Sequence, residues 1–224
     1  MNTCCPDSGW VVTMALGVLA YLVGAIPFGL LISRARGVNI RKVGSGNIGA
    51  TNVFRSVSKT LGILTFAADA LKGWGPAWGF PGLAAVLCGA PVPEWLGLAF
   101  AALAIAGHTW PVYLRFRGGK GVATSTGALI GIAPAATGIG LLCWIAVFAA
   151  SRYVSLASIA AALAVAGAAW VLYRGWGMEL PVALTLLAAL IIGRHKANIQ
   201  RLLAGTEHRF SKKKAAASGP GESR

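Results

Sequence analysis

Long apolar runs alternate with short polar ones along this chain, and that alternation predicts its architecture. A helix that crosses a bilayer needs about 20 apolar residues. Residues 11–33 supply the first such run, which closes on Arg34 and Arg36. A polar loop covers 37–59, and a second span, 60–80, carries Asp69 and Lys72. Residues 81–93 read as a Gly- and Pro-rich connector with an apolar patch at 83–88, and 95–114 is the third span. The region 122–150 is apolar but interrupted by Pro134. It reads as two short helices with a turn there, one kinked helix being the alternative. A sixth span at 156–173 and a short seventh at 180–193 lead into an amphipathic segment, 194–210. The expected fold class is therefore an all-α integral membrane protein with seven transmembrane helices in one domain, 1–210. A disordered basic tail, 211–224, is expected after it, opened by Lys212, Lys213 and Lys214.

Composition agrees with a membrane setting and fixes an orientation. Of the 224 residues 56% are hydrophobic and only 12% charged, against about 25% charged in soluble domains. The formal charge of +14 comes from 20 Lys and Arg against 6 Asp and Glu. No basic run is interleaved with aromatics on a soluble module, so nucleic acid is not expected as a partner. The excess is topological instead, because positive residues collect on the cytoplasmic side. With the N-terminus outside, the loops 34–59, 115–121, 151–155 and 194–224 are cytoplasmic and hold every Lys and Arg except Lys72 and Arg174. A single span over 122–150 would put the basic tail outside, so the charge bias favours seven spans and a cytoplasmic C-terminus. The residues before 11 lack the positive n-region of a signal peptide, so the first apolar run is expected to stay as a membrane helix. Cys4 and Cys5 are adjacent, and Cys88 and Cys143 lie in or beside apolar segments, with neither disulfide nor metal-ligand spacing. No metal, cofactor or obligate protein partner is expected.

Three polar stations interrupt the apolar pattern. The first runs from Val43 to Arg55 and holds Gly44, Ser45, Gly46, Asn47, Gly49, Thr51 and Asn52. Glycines let backbone N–H groups turn toward one anion, and Arg55 supplies the planar fork that suits phosphate. Gly44, Gly46 and Gly49 match G-x-G-x-x-G, but no strand precedes them and no βαβ unit surrounds them, so this is not a dinucleotide loop. The competing account is a tight loop whose Asn and Thr residues are helix caps. The second station spans 107–124, where Gly118, Gly119, Lys120 and Gly121 open a helix whose N-terminal amides and dipole attract an anion. Thr124 closes that station. His108, near the end of the third span, is expected to face protein rather than lipid, as a hydrogen-bonder or a catalyst. The third station is 194–207. His195, Asn198 and Arg201 recur every three residues and share a helix face, with Ile199, Leu202 and Leu203 opposite. A solvated basic helix on anionic lipid is the alternative there. Glu207 is the only acid in the cytoplasmic loops before the tail and is placed to brace an arginine. Asp69 and Lys72, three residues apart, form either a buried structural pair or a functional one. Ser155 and Ser158 begin the sixth span as caps or head-group ligands.

Taken together and in order, these stations resemble the bacterial membrane acyl-phosphate:glycerol-3-phosphate acyltransferase family (the PlsY type). The resemblance rests on Gly44 to Arg55, on Asp69-x-x-Lys72-Gly73, on Gly107-His108-x-x-Pro111 with Gly118 to Thr124, and on His195-x-x-Asn198-Ile199 through Glu207. It covers the chain up to Phe210. It implies seven transmembrane helices in the bacterial inner membrane with the motifs on the cytoplasmic face. It also implies transfer of a fatty acyl group from acyl-phosphate to the 1-hydroxyl of glycerol-3-phosphate. The products are lysophosphatidic acid and phosphate, and neither acyl-CoA nor acyl-carrier protein is the direct donor. By the same resemblance Ser45 and Arg55 are essential, Lys120 with its glycines is a phosphate loop associated with glycerol-3-phosphate, His195 and Asn198 line the site, and Glu207 is structurally critical.

The residue types fit that chemistry. Acyl phosphate is already activated, so the enzyme must align a hydroxyl and stabilise developing charge rather than form an acyl-enzyme. No G-x-S-x-G elbow occurs. The proton acceptor stays open among His195, His108 and a substrate phosphate oxygen. Two other classes compete: a transporter of an organic phosphate anion, which also uses broken helices and glycine-rich anion sites, and a lipid-binding scaffold held by basic loops. Against the transporter, the stations lie on one side and no midplane polar path is evident beyond Asp69 and Lys72.

Overall fold

The computed structural model describes residues 9–210, which are helix and loop throughout. Cys4, Cys5 and the basic tail lie outside the described residues. The first apolar run is two helices rather than one. α1 (Gly9–Ala25) stops before Pro27, and α2 (Phe28–Arg34) leaves it at 41°. Proline has no N–H and its ring clashes with the preceding turn, which a count of apolar residues does not register. The break leaves the Ile26 carbonyl accessible, and Lys72 Nζ donates to it at 2.7 Å.

After the polar loop come α3 (Ala50–Ser56) and α4 (Lys59–Trp74). α4 passes through a π turn at Gly75–Gly79, around Pro76, into α5 (Phe80–Cys88). The expected connector 81–93 is thus half helix, ending only at Gly89 with φ 64°. α6 (Leu96–Thr109) precedes the second station. Beyond it, α7 (Val122–Ile132) and α8 (Pro134–Ser151) are separate helices meeting at Ala133, as expected from Pro134, though α8 is long rather than short. α9 (Val154–Leu172) and α10 (Glu179–Arg194) follow. α11 (Lys196–Leu203) turns away from α10 by 59°.

Among the described residues, three stretches are each long and apolar enough to cross a membrane: Leu96–Leu114, Pro134–Ser151 and Val154–Leu172. The bent pairs α1–α2 and α10–α11 raise the number to five if each is one span. Large apolar side chains such as Val86, Leu142, Val171 and Leu186 stand exposed on this exterior, as a lipid-facing surface requires.

Small residues set the helix contacts. Gly24 lies against the Ala104 backbone and Gly107 against the Tyr21 carbonyl, which joins α1 to α6. Gly73 meets the Thr124 carbonyl and Gly127 the Ala70 carbonyl, which joins α4 to α7. Any side chain at these four positions would collide with backbone, so these helices approach as closely as small-residue membrane contacts allow. At the far end of α7 to α10, Leu129, Ala133, Ala136, Ala169 and Leu184 pack into one buried cluster.

Candidate active site

One cavity of about 310 Å³ joins the three polar stations. From the first station Ser45, Asn47, Gly49, Thr51, Asn52 and Arg55 line it. Lys120 and Gly121 come from the second, and His195, Asn198 and Glu207 from the third. Asp69, His108, Ser155 and Ser158 also reach its wall. Below this polar end the same cavity continues between α7, α8, α9 and α10, lined there by apolar residues such as Leu141, Trp144, Ala162, Leu187 and Ile191.

The first loop is built around Asn52, which is 2% exposed. Its Nδ2 donates to the carbonyls of Ile40, Val43 and Asn47 at 3.2, 3.1 and 2.9 Å. Its Oδ1 accepts from the Ser45 amide at 3.1 Å and the Ser56 hydroxyl at 3.2 Å. Asn47 Oδ1 accepts the Gly49 amide at 2.8 Å, and the Gly46 amide goes to the Val43 carbonyl at 3.0 Å. The amides of Ser45, Gly46 and Gly49 are therefore spent within the loop. A backbone nest of Ser45, Gly46 and Gly49, suggested by the glycines, is not available to an anion; the loop offers side chains instead. Gly44 has φ 58° and lies so close to Asn52 Oδ1 that no side chain fits.

The second station follows the same rule. The amides of Gly118 and Gly119 donate to the Thr109 and His108 carbonyls at 3.2 and 3.1 Å. Their own carbonyls accept from Arg194, with Nη2 at 3.3 Å from Gly118 and 3.1 Å from Gly119. Gly119 also presses on the His108 ring, where a Cβ would overlap Nε2. This fixes the Gly-Gly turn and leaves the opening amides of α7, which follows Gly121 at φ 85°, unpaired as at any helix start. Thr124 is fully buried against Gly73 and does not line the cavity.

The third station closes a network across the mouth. Lys120 Nζ donates to Asn198 Oδ1. Asn198 Nδ2 donates to Glu207 Oε1 at 2.7 Å, which also accepts from Ser155 Oγ at 2.9 Å. Arg201 Nε donates to Glu207 Oε2 at 2.7 Å, so Arg201 acts through Glu207 and stands outside the cavity lining. Burial acts to raise the Glu207 carboxyl, but hydrogen bonds from Asn198, Arg201 and Ser155 outweigh it and hold it below its usual value. Burial lowers Lys120 to about 8, Arg201, Arg55 and Arg194 adding to this while Glu207 opposes it. His195, 2% exposed, is lowered to about 4 by burial and by Lys120. Its Nδ1 lies 2.8 Å from the Ile191 carbonyl. A carbonyl only accepts, so Nδ1 carries the proton and Nε2 keeps its lone pair.

The Asp69–Lys72 pair is a brace. Its ions lie 2.7 Å apart, His108 Nδ1 stands 3.7 Å from Asp69 Oδ1, and Lys72 continues to the Ile26 carbonyl. One buried group thus ties α4 to the α1–α2 break and to α6 beneath the Gly-Gly turn.

Several residues at the site escaped the sequence reading. Phe210 packs on Phe54 and Phe148, carries the Arg55 guanidinium over its ring at 5.9 Å, and donates its amide to the Arg152 carbonyl. It folds the segment after α11 back over the mouth. Arg41, Arg117 and Arg194 line a second cavity of about 270 Å³, which shares Ser45 and Asn47 with the first and has no carboxylate in its wall. Their number in the basic loops was legible; their convergence needs the loop fold, including the 2.6 Å bond from Arg41 Nη2 to the Arg117 carbonyl.

The sequence profile of the glycerol-3-phosphate acyltransferase family matches residues 14–205. This chain belongs to that family. A glycerol-3-phosphate acyltransferase of Methylobacillus flagellatus is 45% identical over 197 residues, covering 88% of this chain and 96% of the relative. Its counterpart in Aquifex aeolicus is 43% identical over 196 residues, covering 87% and 97%. Among solved structures, the glycerol 3-phosphate form of PlsY, an integral membrane glycerol 3-phosphate acyltransferase, matches with TM-score 0.79 and 40% identity over 89% of this chain and 96% of that one. The lysophosphatidic acid form of PlsY matches with TM-score 0.77 and 39% identity over 89% and 95%.

Proposed function

We propose that this glycerol-3-phosphate acyltransferase family member transfers a fatty acyl group from acyl-phosphate to the 1-hydroxyl of glycerol-3-phosphate, releasing lysophosphatidic acid and phosphate. One observation carries the reading: a single cavity has a cation-lined polar mouth and an apolar lumen between four helices. Only a ligand with a phosphate head and a hydrocarbon tail uses both ends. The lumen stops on a packed apolar cluster, which favours a bound tail over a transport path for a free anion.

The chain crosses the inner membrane seven times with the mouth facing the cytoplasm. The helix count rests on adding α4–α5 and the short α7 to the five spans or bent pairs, and the orientation on the basic loops. Ser45, Arg55, Lys120, His195 and Asn198 are the catalytic set. Arg55 and Lys120 hold the substrate phosphates, and cationic donors there stabilise the charge that develops as phosphate leaves. The hydroxyl oxygen attacks the acyl carbon directly, the carbon–oxygen bond to phosphate breaks, and phosphate departs with the electron pair. A phosphate oxygen, whose second pKa is about 6, is a stronger base than His195 at about 4, so it takes the hydroxyl proton. His195 Nε2 accepts the hydrogen bond of the neighbouring 2-hydroxyl and so orients the glycerol, which leaves the 1-hydroxyl proton to the phosphate oxygen.

The test is the purified protein in detergent or bilayer with acyl-phosphate and glycerol-3-phosphate. Release of phosphate together with lysophosphatidic acid is expected. No release, alongside counterflow of glycerol-3-phosphate in liposomes, would replace the reading with a transporter.

A further inference from the structure

The apolar lumen has a defined end. The lining residues furthest along their helices from the mouth are Leu129 on α7, Thr137 on α8, Val165 on α9 and Leu184 on α10. Leu129 and Leu184 belong to the buried cluster that continues into Ala133, Ala136 and Ala169, and Val165 packs against that cluster. The same side chains thus bound the open space on one side and solid packing on the other. The Thr137 hydroxyl is spent on the Ala133 carbonyl at 2.8 Å, so it adds no polar group seeking a ligand. Gly140 lets α8 come close to Val165, whose Cγ2 occupies the place of a Cβ, and this narrows the lumen just above its end.

The depth follows from helix geometry. On α9 the lining runs from Ser155, which bonds Glu207 at the mouth, to Val165. Ten residues at 1.5 Å of rise span about 15 Å. A staggered hydrocarbon built of bonds near 1.5 Å advances about 1.25 Å per carbon. The lumen therefore seats about a dozen carbons before the chain meets the floor.

We infer that Leu129, Val165 and Leu184 form a stop that sets the preferred length of the acyl chain. This rests on the acyl-transfer reading above, since it concerns the tail of that substrate. A chain that ends at the floor packs each methylene against the lining. A longer one must bend back or leave between helices, and gains nothing further from this lumen.

The experiment is a series of acyl-phosphates from 8 to 18 carbons, with kcat/KM measured at saturating glycerol-3-phosphate. Val165→Ala with Leu184→Ala removes the floor and is expected to move the optimum two to four carbons longer. Ala162→Phe places bulk seven residues below Ser155, about 10 Å at 1.5 Å per residue, and is expected to move it shorter, with the longest chains losing tenfold or more relative to the shortest. If Ala162→Phe yields no folded enzyme, the floor variants and the single Leu184→Met decide by the same ratio of long to short chains. Length profiles that keep their shape in all folded variants would overturn the proposal, because the tail would then leave the protein before reaching the floor. Wild-type protein that transfers no chain of any length would instead overturn the acyltransferase reading, and the two failures are distinct.

Discussion

Lys120 offers a prediction in which activity and stability move in opposite directions with pH. Burial brings it from an ordinary 10.5 to about 8, so the free enzyme begins to lose this charge just above physiological pH. If Lys120 must be an ammonium to hold a phosphate, kcat/KM is full below pH 8 and falls tenfold per unit above it, because kcat/KM reports the free enzyme. At pH 9 about a tenth of the molecules stay charged, a loss worth about 1.4 kcal/mol. Stability has the other sign. Between pH 8 and 10.5 the unfolded chain binds the proton that the folded chain has released, so this group makes unfolding less favourable as pH rises. The assay is phosphate release from pH 6 to 10, paired with thermal unfolding of the same detergent sample. Lys120→Arg, which stays charged throughout, should abolish the alkaline limb whatever its absolute rate. Glu207→Gln removes the group that opposes the lowering of Lys120, so the limb should move to lower pH. A limb that persists near pH 8 in Lys120→Arg would refute the assignment. So would activity loss that follows unfolding.

Asn52→Leu should unfold the first station: five hydrogen bonds within 3.2 Å converge on this buried amide, and removing such a partner costs about 1–3 kcal/mol per stranded group. A large fall in melting temperature together with lost activity is expected, and unchanged melting would contradict it. His195→Gln keeps an acceptor near the place of Nε2 and should hold activity within about tenfold, whereas His195→Ala should lose about a hundredfold or more; equal losses in kcat would point to proton abstraction by the ring. Arg117→Gln should raise the KM for glycerol-3-phosphate more than that for acyl-phosphate, since the arginine-lined second cavity has no apolar lumen. A matched rise in both constants would argue against that division.

What the sequence made legible, and what it hid, divide along a physical line. Apolar runs located the long membrane helices because burial in lipid is a property of composition summed over a window, whereas α3 lies inside the stretch read as a polar loop. Such runs failed at Pro27, where one residue overrides twenty, and at 81–93, where glycines and prolines tolerated in a membrane helix passed for a connector. The site was legible as three clusters of residue types, and those clusters do meet around one cavity. Hydrogen-bond ownership was not legible. Glycine in sequence suggests amides free for a ligand, yet here the amides of Gly46, Gly49, Gly118 and Gly119 each have an internal acceptor. The glycines are required by proximity instead, to Asn52 at Gly44 and to His108 at Gly119. Once the loops are thus closed on themselves, the opening amides of α3 and α7 and the side chains of Ser45, Thr51, Arg55, Lys120 and His195 are left to meet a substrate. A loop made rigid by its own amides holds those side chains in place before substrate arrives. Pre-set donors need no reorganisation when charge develops on the leaving phosphate.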